Sequence, residues 1–179
     1  MKDYKVFDLK KYHDLRGYFY ESYSHPIATE LGEVFVQDNV SFSYKGTIRG
    51  LHYQWDAPMG KLVHVLKGSI IDYIVDLRHG SATYGCYEEF EISDENNKIL
   101  WVPPGYAHGF EALEDSLVMY KCTAFYNPMG EGGISPYDAD IAIKYRTLPF
   151  STIISDKDKK AKSLKEYDQN PIFFSTEEK

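Results

Sequence analysis

Cysteine is scarce. The 179 residues contain two, Cys86 and Cys122, at a spacing that fits no metal-binding pattern, and each sits in an apolar or aromatic stretch. Both therefore read as buried free thiols rather than as a disulfide or a nucleophile. Long apolar runs are missing too: no segment approaches the roughly 20 residues needed to span a bilayer. The start, Met1-Lys2-Asp3-Tyr4-Lys5, lacks the apolar core of a signal peptide, so a cytoplasmic address and no membrane partner are expected. Basic residues are outnumbered, 20 against 27 acidic, for a net charge of -7. With no basic block to neutralise phosphates, no nucleic-acid partner is expected. An anionic ligand would need a local group of Arg and Lys working against the bulk field.

What is present points to β structure. The hydrophobic content is 43%, enough for one sizeable core, with 16 Tyr and 10 Phe, residue types that suit pleated surfaces and ring-lined pockets. Strands are expected at 61–66, 69–77, 84–92, 98–102 and 116–125, separated by turns at Lys67-Gly68, Arg78-His79-Gly80, 93–97 and Pro103-Pro104-Gly105. No helical pattern intervenes, so the rhythm predicts an antiparallel sandwich or barrel rather than a parallel α/β sheet. A further strand is expected over 34–41, its apolar pattern ending at Gln37. Ser155 to Leu164 reads as a helix start, with Asp158 at the carboxylate position of a capping box.

The chain's chemistry gathers around Arg49-Gly50-Leu51-His52-Tyr53-Gln54 and the following Lys61-Leu62-Val63-His64-Val65. A permissive glycine, an imidazole and two cations on strands read as His52 acting as a general base, Lys61 stabilising developing negative charge, and Arg49 anchoring an anionic ligand. Asp14-Leu15-Arg16-Gly17 is a turn signal, after which Phe19 and Glu21 share a strand face with Arg16 near its start. Gln37 and Asn39 point one way, as groups reading a polar ring or hydroxyls would. Pro103 to Phe110 is expected to bend like a hairpin and present His108 between prolines and glycines. Tyr120 and Tyr126 share a face with Val118 and Ala124 and, taken by themselves, read as core or rim tyrosines.

Taken in order, Asp14 to Glu21, Gln37-Asp38-Asn39, Arg49 to Gln54, Lys61-Leu62-Val63, Pro104-Gly105-Tyr106-Ala107-His108-Gly109-Phe110, Tyr120-Lys121 and Ser155-Asp156-Lys157-Asp158 resemble the dTDP-4-dehydrorhamnose 3,5-epimerases. The resemblance implies a single cupin-type jelly-roll domain over 1–179: N-terminal strands (1–45) exchanged in a homodimer, a barrel core (46–127), and a C-terminal loop with short helices (128–179). It implies no cofactor and no metal, and inversion of C3 and C5 in a 4-keto-6-deoxyhexose carried on thymidine diphosphate. By motif, His52 is similar to the base, paired with Asp158, Tyr120 to the acid on the opposite face, and Lys61 to the group near the keto oxygen. Arg16, Glu21, Gln37, Asp38, Asn39, Arg49, His108, Glu131 and Lys157 are similar to nucleotide-sugar contacts, and Phe19 and Tyr126 to residues around the base.

Three other readings compete. One is an epimerase of a single carbon, or of another nucleotide's keto sugar. Another is a metal-dependent cupin, which would want two close histidines where this chain has His52 followed by Gln54. The third is a sugar-binding jelly roll without chemistry.

Overall fold

The structure is a computed structural model that describes residues 3–147 and 151–176. In chain order it forms β1 (Lys5–Asp8), β2 (Tyr12–Asp14), β3 (Gly17–Phe19), α1 (His25–Leu31), β4 (Gln37–Ser43), β5 (Thr47–Gln54), β6 (Lys61–Lys67) and β7 (Ser69–Asp76). There follow β8 (Arg78–His79), β9 (Tyr87–Ser93), β10 (Lys98–Val102), β11 (Tyr106–Ala112), β12 (Ser116–Cys122), β13 (Glu131–Gly133), β14 (Ile153–Ile154), α2 (Asp156–Lys159), α3 (Leu164–Asp168) and β15 (Phe173–Phe174). One sheet runs β1-β10-β6-β12-β4 and the other β13-β5-β11-β7-β9, with β14 beside β5. Neighbours within both sheets are antiparallel except β14 and β5. This is the all-β jelly roll with short C-terminal helices that the sequence led us to expect.

Alternation along the strands sorts the side chains into layers. Val63, Val65, Leu100 and Val118 of the first sheet meet Ile70, Ile74 and Phe110 of the second. Each such side chain contributes about 1.5–3 kcal/mol on full burial. The outer face of the first sheet, with Leu62, Ile99 and Trp101, lies under Phe7, Tyr23, Ile27, Leu31 and Phe35 from the N-terminal segment. That of the second, with Leu51, Tyr53, Ile71, Tyr73 and Val75, lies under Ile134, Ile141, Leu164 and Tyr167. The β6–β7 hairpin needs its glycine: Gly68 has φ +83, and a Cβ there would come 2.6 Å from the Asp115 carbonyl oxygen.

Several elements differ from expectation. Tyr106–Ala112 is a buried strand between β5 and β7, and only Pro103–Gly105 forms the bend, so His108 lies on a sheet rather than in a turn. Strand β4 begins where the apolar pattern stops. Its inward residues Gln37, Asn39, Ser41 and Ser43 are polar while Val40 and Phe42 stay exposed, the reverse of the usual pattern. Strand β9 starts three residues late because Gly85 and Cys86 belong to a turn, Cys86 N–H donating to the Thr83 carbonyl; Cys86 is exposed there, not buried, while Cys122 is buried. Strand β3 stops at Phe19, before Glu21, and β12 at Cys122.

His64, on the outer face of β6, is 2% exposed, and neither ring nitrogen has a hydrogen-bond partner. Tyr20 stands edge-on at 5.5 Å. Burial first, then the nearby Lys11 charge, pushes its pKa down from 6.5 to about 4. Between those values the unfolded chain binds a proton that the folded chain refuses. Stability is therefore full above pH 6.5 and falls as pH drops toward 4, by on the order of 3 kcal/mol. Denaturant midpoints measured across this window should fall in the native protein, and His64→Leu should flatten the dependence.

Candidate active site

Towards one end of the sandwich the inward positions change from apolar to polar. There Lys61, Tyr120, Gln37 and Asn39 of the first sheet face Arg49, His52 and His108 of the second across a cavity of about 780 Å³. Lys61 and Tyr120 share one wall, since β6 and β12 pair with Lys61 opposite Cys122 and Val63 opposite Tyr120. His52 and His108 share the other, directly opposite each other on β5 and β11.

In a regular strand Arg49 and His52, three residues apart, would point to opposite faces. Here the β5–β11 register slips. His108 pairs with His52 but Phe110 with Arg49, so β5 carries one extra residue, a bulge that returns both side chains to the cavity. The strands touch backbone to backbone at this point. A Cβ on Gly50 (φ +107) would lie 2.7 Å from both Gly109 Cα and the His108 carbonyl oxygen. The bulge also frees the Gly50 N–H to donate to Asp158 Oδ2 at 3.3 Å.

Asp158 is 4% exposed, and its Oδ1 lies 2.7 Å from His52 Nε2. The capping box expected at Ser155 is half formed: Ser155 Oγ accepts from the Asp158 N–H, while the carboxylate turns away to His52 and Gly50. Burial raises its pKa, but the hydrogen bond and charge of His52, followed by the Gly50 N–H, outweigh that and hold the carboxyl below its ordinary value. With Nε2 held, Nδ1 is the His52 nitrogen left for a substrate proton.

On the facing wall, burial lowers the pKa of Lys61, partly offset by Cys122, Asp72 and Glu131. Burial raises that of Tyr120, followed by Cys122, while Asn39 and Arg49 pull it back in part. Burial thus favours the protonated phenol of Tyr120, and it disfavours charge on Lys61 while strengthening the pull of an ammonium there on a nearby anion. Arg49 spans the cavity mouth, donating to Ser43 Oγ at 2.8 Å and the Phe42 carbonyl at 2.9 Å. Glu131 accepts from Tyr126 Oη at 3.0 Å and from Lys157. Gln37 donates to Asn39 at 2.9 Å.

Sequence reasoning missed Asp72. This fully buried residue lies 2.8 Å from His108 Nε2 through Oδ2, and burial raises its pKa against the pull of His108 and Lys61. A lone Asp within the apolar run Ile70-Ile71-Asp72-Tyr73-Ile74-Val75 was the available signal, because such a residue needs a buried partner. Four expected residues do not line this cavity. Asp38 turns to the other side of β4 and pairs with Lys121 at 2.9 Å. Arg16 pairs with Asp14 at 2.6 Å on the exposed β2–β3 hairpin, where Phe19 is 66% exposed, and Glu21 lies exposed just beyond it. Among the described residues, no three His, Cys, Asp or Glu side chains form a metal-binding group.

Residues 1–166 match the family described as dTDP-4-dehydrorhamnose 3,5-epimerase. The enzyme of that name from Methanothermobacter thermautotrophicus is 45% identical over 172 residues, covering 94% of this chain and 91% of its own. The crystal structure of dTDP-6-deoxy-D-glucose-3,5-epimerase RmlC from Legionella pneumophila Philadelphia 1, in complex with dTDP-4-keto-L-rhamnose, superposes with a TM-score of 0.93 at 40% identity, covering 99% and 96% of the two chains. ChmJ, a 3'-monoepimerase from Streptomyces bikiniensis solved with dTDP-quinovose, superposes with a TM-score of 0.88 at 26% identity, covering 94% and 87%. With an imidazole–carboxylate pair and a phenol on opposite walls of a jelly roll, and a sequence this close, the chain belongs to the dTDP-4-dehydrorhamnose 3,5-epimerase family.

Proposed function

We propose that the protein inverts C3 and C5 of a dTDP-linked 4-keto-6-deoxyhexose by removing and returning a proton at each carbon beside the ketone. The observation that carries this reading is the placement of His52 and Tyr120 on opposite walls of one cavity. Both carbons flank C4, so one carbonyl acidifies both protons. His52, oriented by Asp158, takes the proton from one face. Lys61 stabilises the enolate oxygen, with His108 and Asp72 beside it. Tyr120 delivers a proton to the other face, which completes the inversion. Arg49 and Lys157 serve the diphosphate, and Tyr126 the base. A cytoplasmic site of action suits such a substrate, whose charged diphosphate does not cross a bilayer unaided.

Arg16, Phe19 and Glu21 lie away from their own cavity, and we propose that the strands ahead of β4 exchange with a second copy and bring them to its site, while β4 stays beside its own β12. Val34, Val36, Val40, Phe42 and Tyr44 support that reading. They are exposed at alternate positions from just before β4 to just after it, where another chain would cover them. No helix among the described residues is long and apolar enough to cross a membrane.

His52→Asn should lower turnover roughly a hundred- to ten-thousand-fold with nucleotide affinity nearly unchanged; turnover within tenfold of the native protein would reject His52 as the base. Tyr120→Phe should still let solvent deuterium wash into substrate through His52 while inverted product falls sharply, and product formed at the native rate would remove Tyr120 from the mechanism. Asp158→Ala leaves the Gly50 N–H and His52 unpaired. A cost of about 1–3 kcal/mol in chemical denaturation, together with a lower rate, is expected. Light scattering should report a dimer; a monomer at working concentration would count against strand exchange.

A further inference from the structure

Strand β4 sets a row of polar side chains beside the proposed acid. Asn39 stands directly opposite Tyr120 in the β4–β12 ladder and Gln37 opposite Cys122, so all four lie on one face of the sheet. Gln37, Asn39 and Tyr120 line the cavity, whereas Cys122 is fully buried.

The hydrogen bonds along this row run in one direction, and a backbone group sets it. The Tyr126 N–H can only donate, so Gln37 turns its oxygen to it, Oε1 accepting at 3.0 Å. That leaves the Gln37 NH2 group to donate to Asn39 Oδ1 at 2.9 Å. With its oxygen taken, Asn39 presents only N–H groups to β12, and Nδ2 donates one of them to Cys122 Sγ at 3.5 Å. The second is left for Tyr120, whose pKa Asn39 pulls down against the effect of burial. A flip of either amide would set like groups face to face.

On the reading of function given above, Tyr120 gives its proton to the enolate carbon. The enolate electron pair forms the new C–H bond, the O–H pair stays on the phenol oxygen, and a phenolate is left where burial disfavours it.

We propose that Asn39 is a positioning residue for Tyr120, itself oriented by Gln37 and Cys122. Its free N–H meets the phenol oxygen, so the phenol directs its own O–H to the substrate, and the same N–H steadies the phenolate once that proton has left. This role differs from a contact with the nucleotide sugar: it acts on the return of the proton and not on its removal by His52.

Asn39→Leu keeps the branched shape and removes the amide. Gln37→Glu leaves Asn39 in place but reverses it. The new carboxylate accepts from the Tyr126 N–H and can only accept from Asn39 as well, so the Asn39 NH2 group turns to it and an oxygen faces Tyr120. Each folded variant, checked by its thermal melt, is run in deuterated water at saturating substrate and read by proton NMR. The ratio of deuterium washed into recovered substrate to inverted product should rise about tenfold or more, the scale of one hydrogen bond to a charged group. Should Asn39→Leu fail to fold, Gln37→Glu decides alone. An unchanged ratio, with removal and return slowed together, would overturn the proposal and leave Gln37 and Asn39 as packing or sugar contacts. Tyr120→Phe separates this from the function: product at the native rate there rejects Tyr120 as the acid, whereas a sharp fall there beside an unchanged ratio in the amide variants rejects only the role of Asn39.

Discussion

The backbone contact between Gly50 and Gly109 is the constraint on which the site depends. Side chains at either position would hold β5 and β11 apart. Their absence permits the bulge that turns Arg49 and His52 to one wall and leaves the Gly50 N–H free for Asp158. Anchoring the carboxylate from the second sheet also docks α2, which brings Lys157 to the cavity mouth beside Glu131. One local contact thus sets the proposed base, the carboxylate bonded to it and the proposed cation for the ligand.

The sandwich supplies the second requirement, a place where charge is stabilised by few waters. The same inward rows that pack Val63, Val65 and Val118 against Ile70 and Ile74 continue into Lys61 and Tyr120, so the polar groups inherit walls built for an apolar core. Desolvation favours the protonated form of Tyr120, as its proposed role needs; it disfavours charge on Lys61, an effect that Cys122, Asp72 and Glu131 partly offset, while making that charge count for more beside an anion. His108 is held in such surroundings by the buried Asp72.

Short-range features were legible in the sequence. Strand periodicity gave the sandwich, and the motif residues His52, Lys61, Tyr120 and Asp158 do converge on one cavity. What escaped depends on long-range pairing. The bulge that unites Arg49 and His52 exists only in the register with β11. Asp158 had two competing local and distant partners, and the distant one, 106 residues away, took the carboxylate. Asp72 looked like an interruption of an apolar strand because its partner His108 is 36 residues on. The expected bend at His108 failed since Pro103, Pro104 and Gly105 fix only the turn, after which two neighbouring strands claim the backbone. Polar inward residues on β4 defeated a pattern search that takes apolar to mean inside.

The same fold carries a 3'-monoepimerase in a relative of 26% identity, so the number of carbons that react is the most direct test of the two-wall account. Proton NMR of product made by the native protein from a dTDP-linked 4-keto-6-deoxyglucose in deuterated water reports it in one spectrum. The account predicts inverted configuration and deuterium at both C3 and C5. Deuterium and inversion confined to one of these carbons, or at neither, would contradict it.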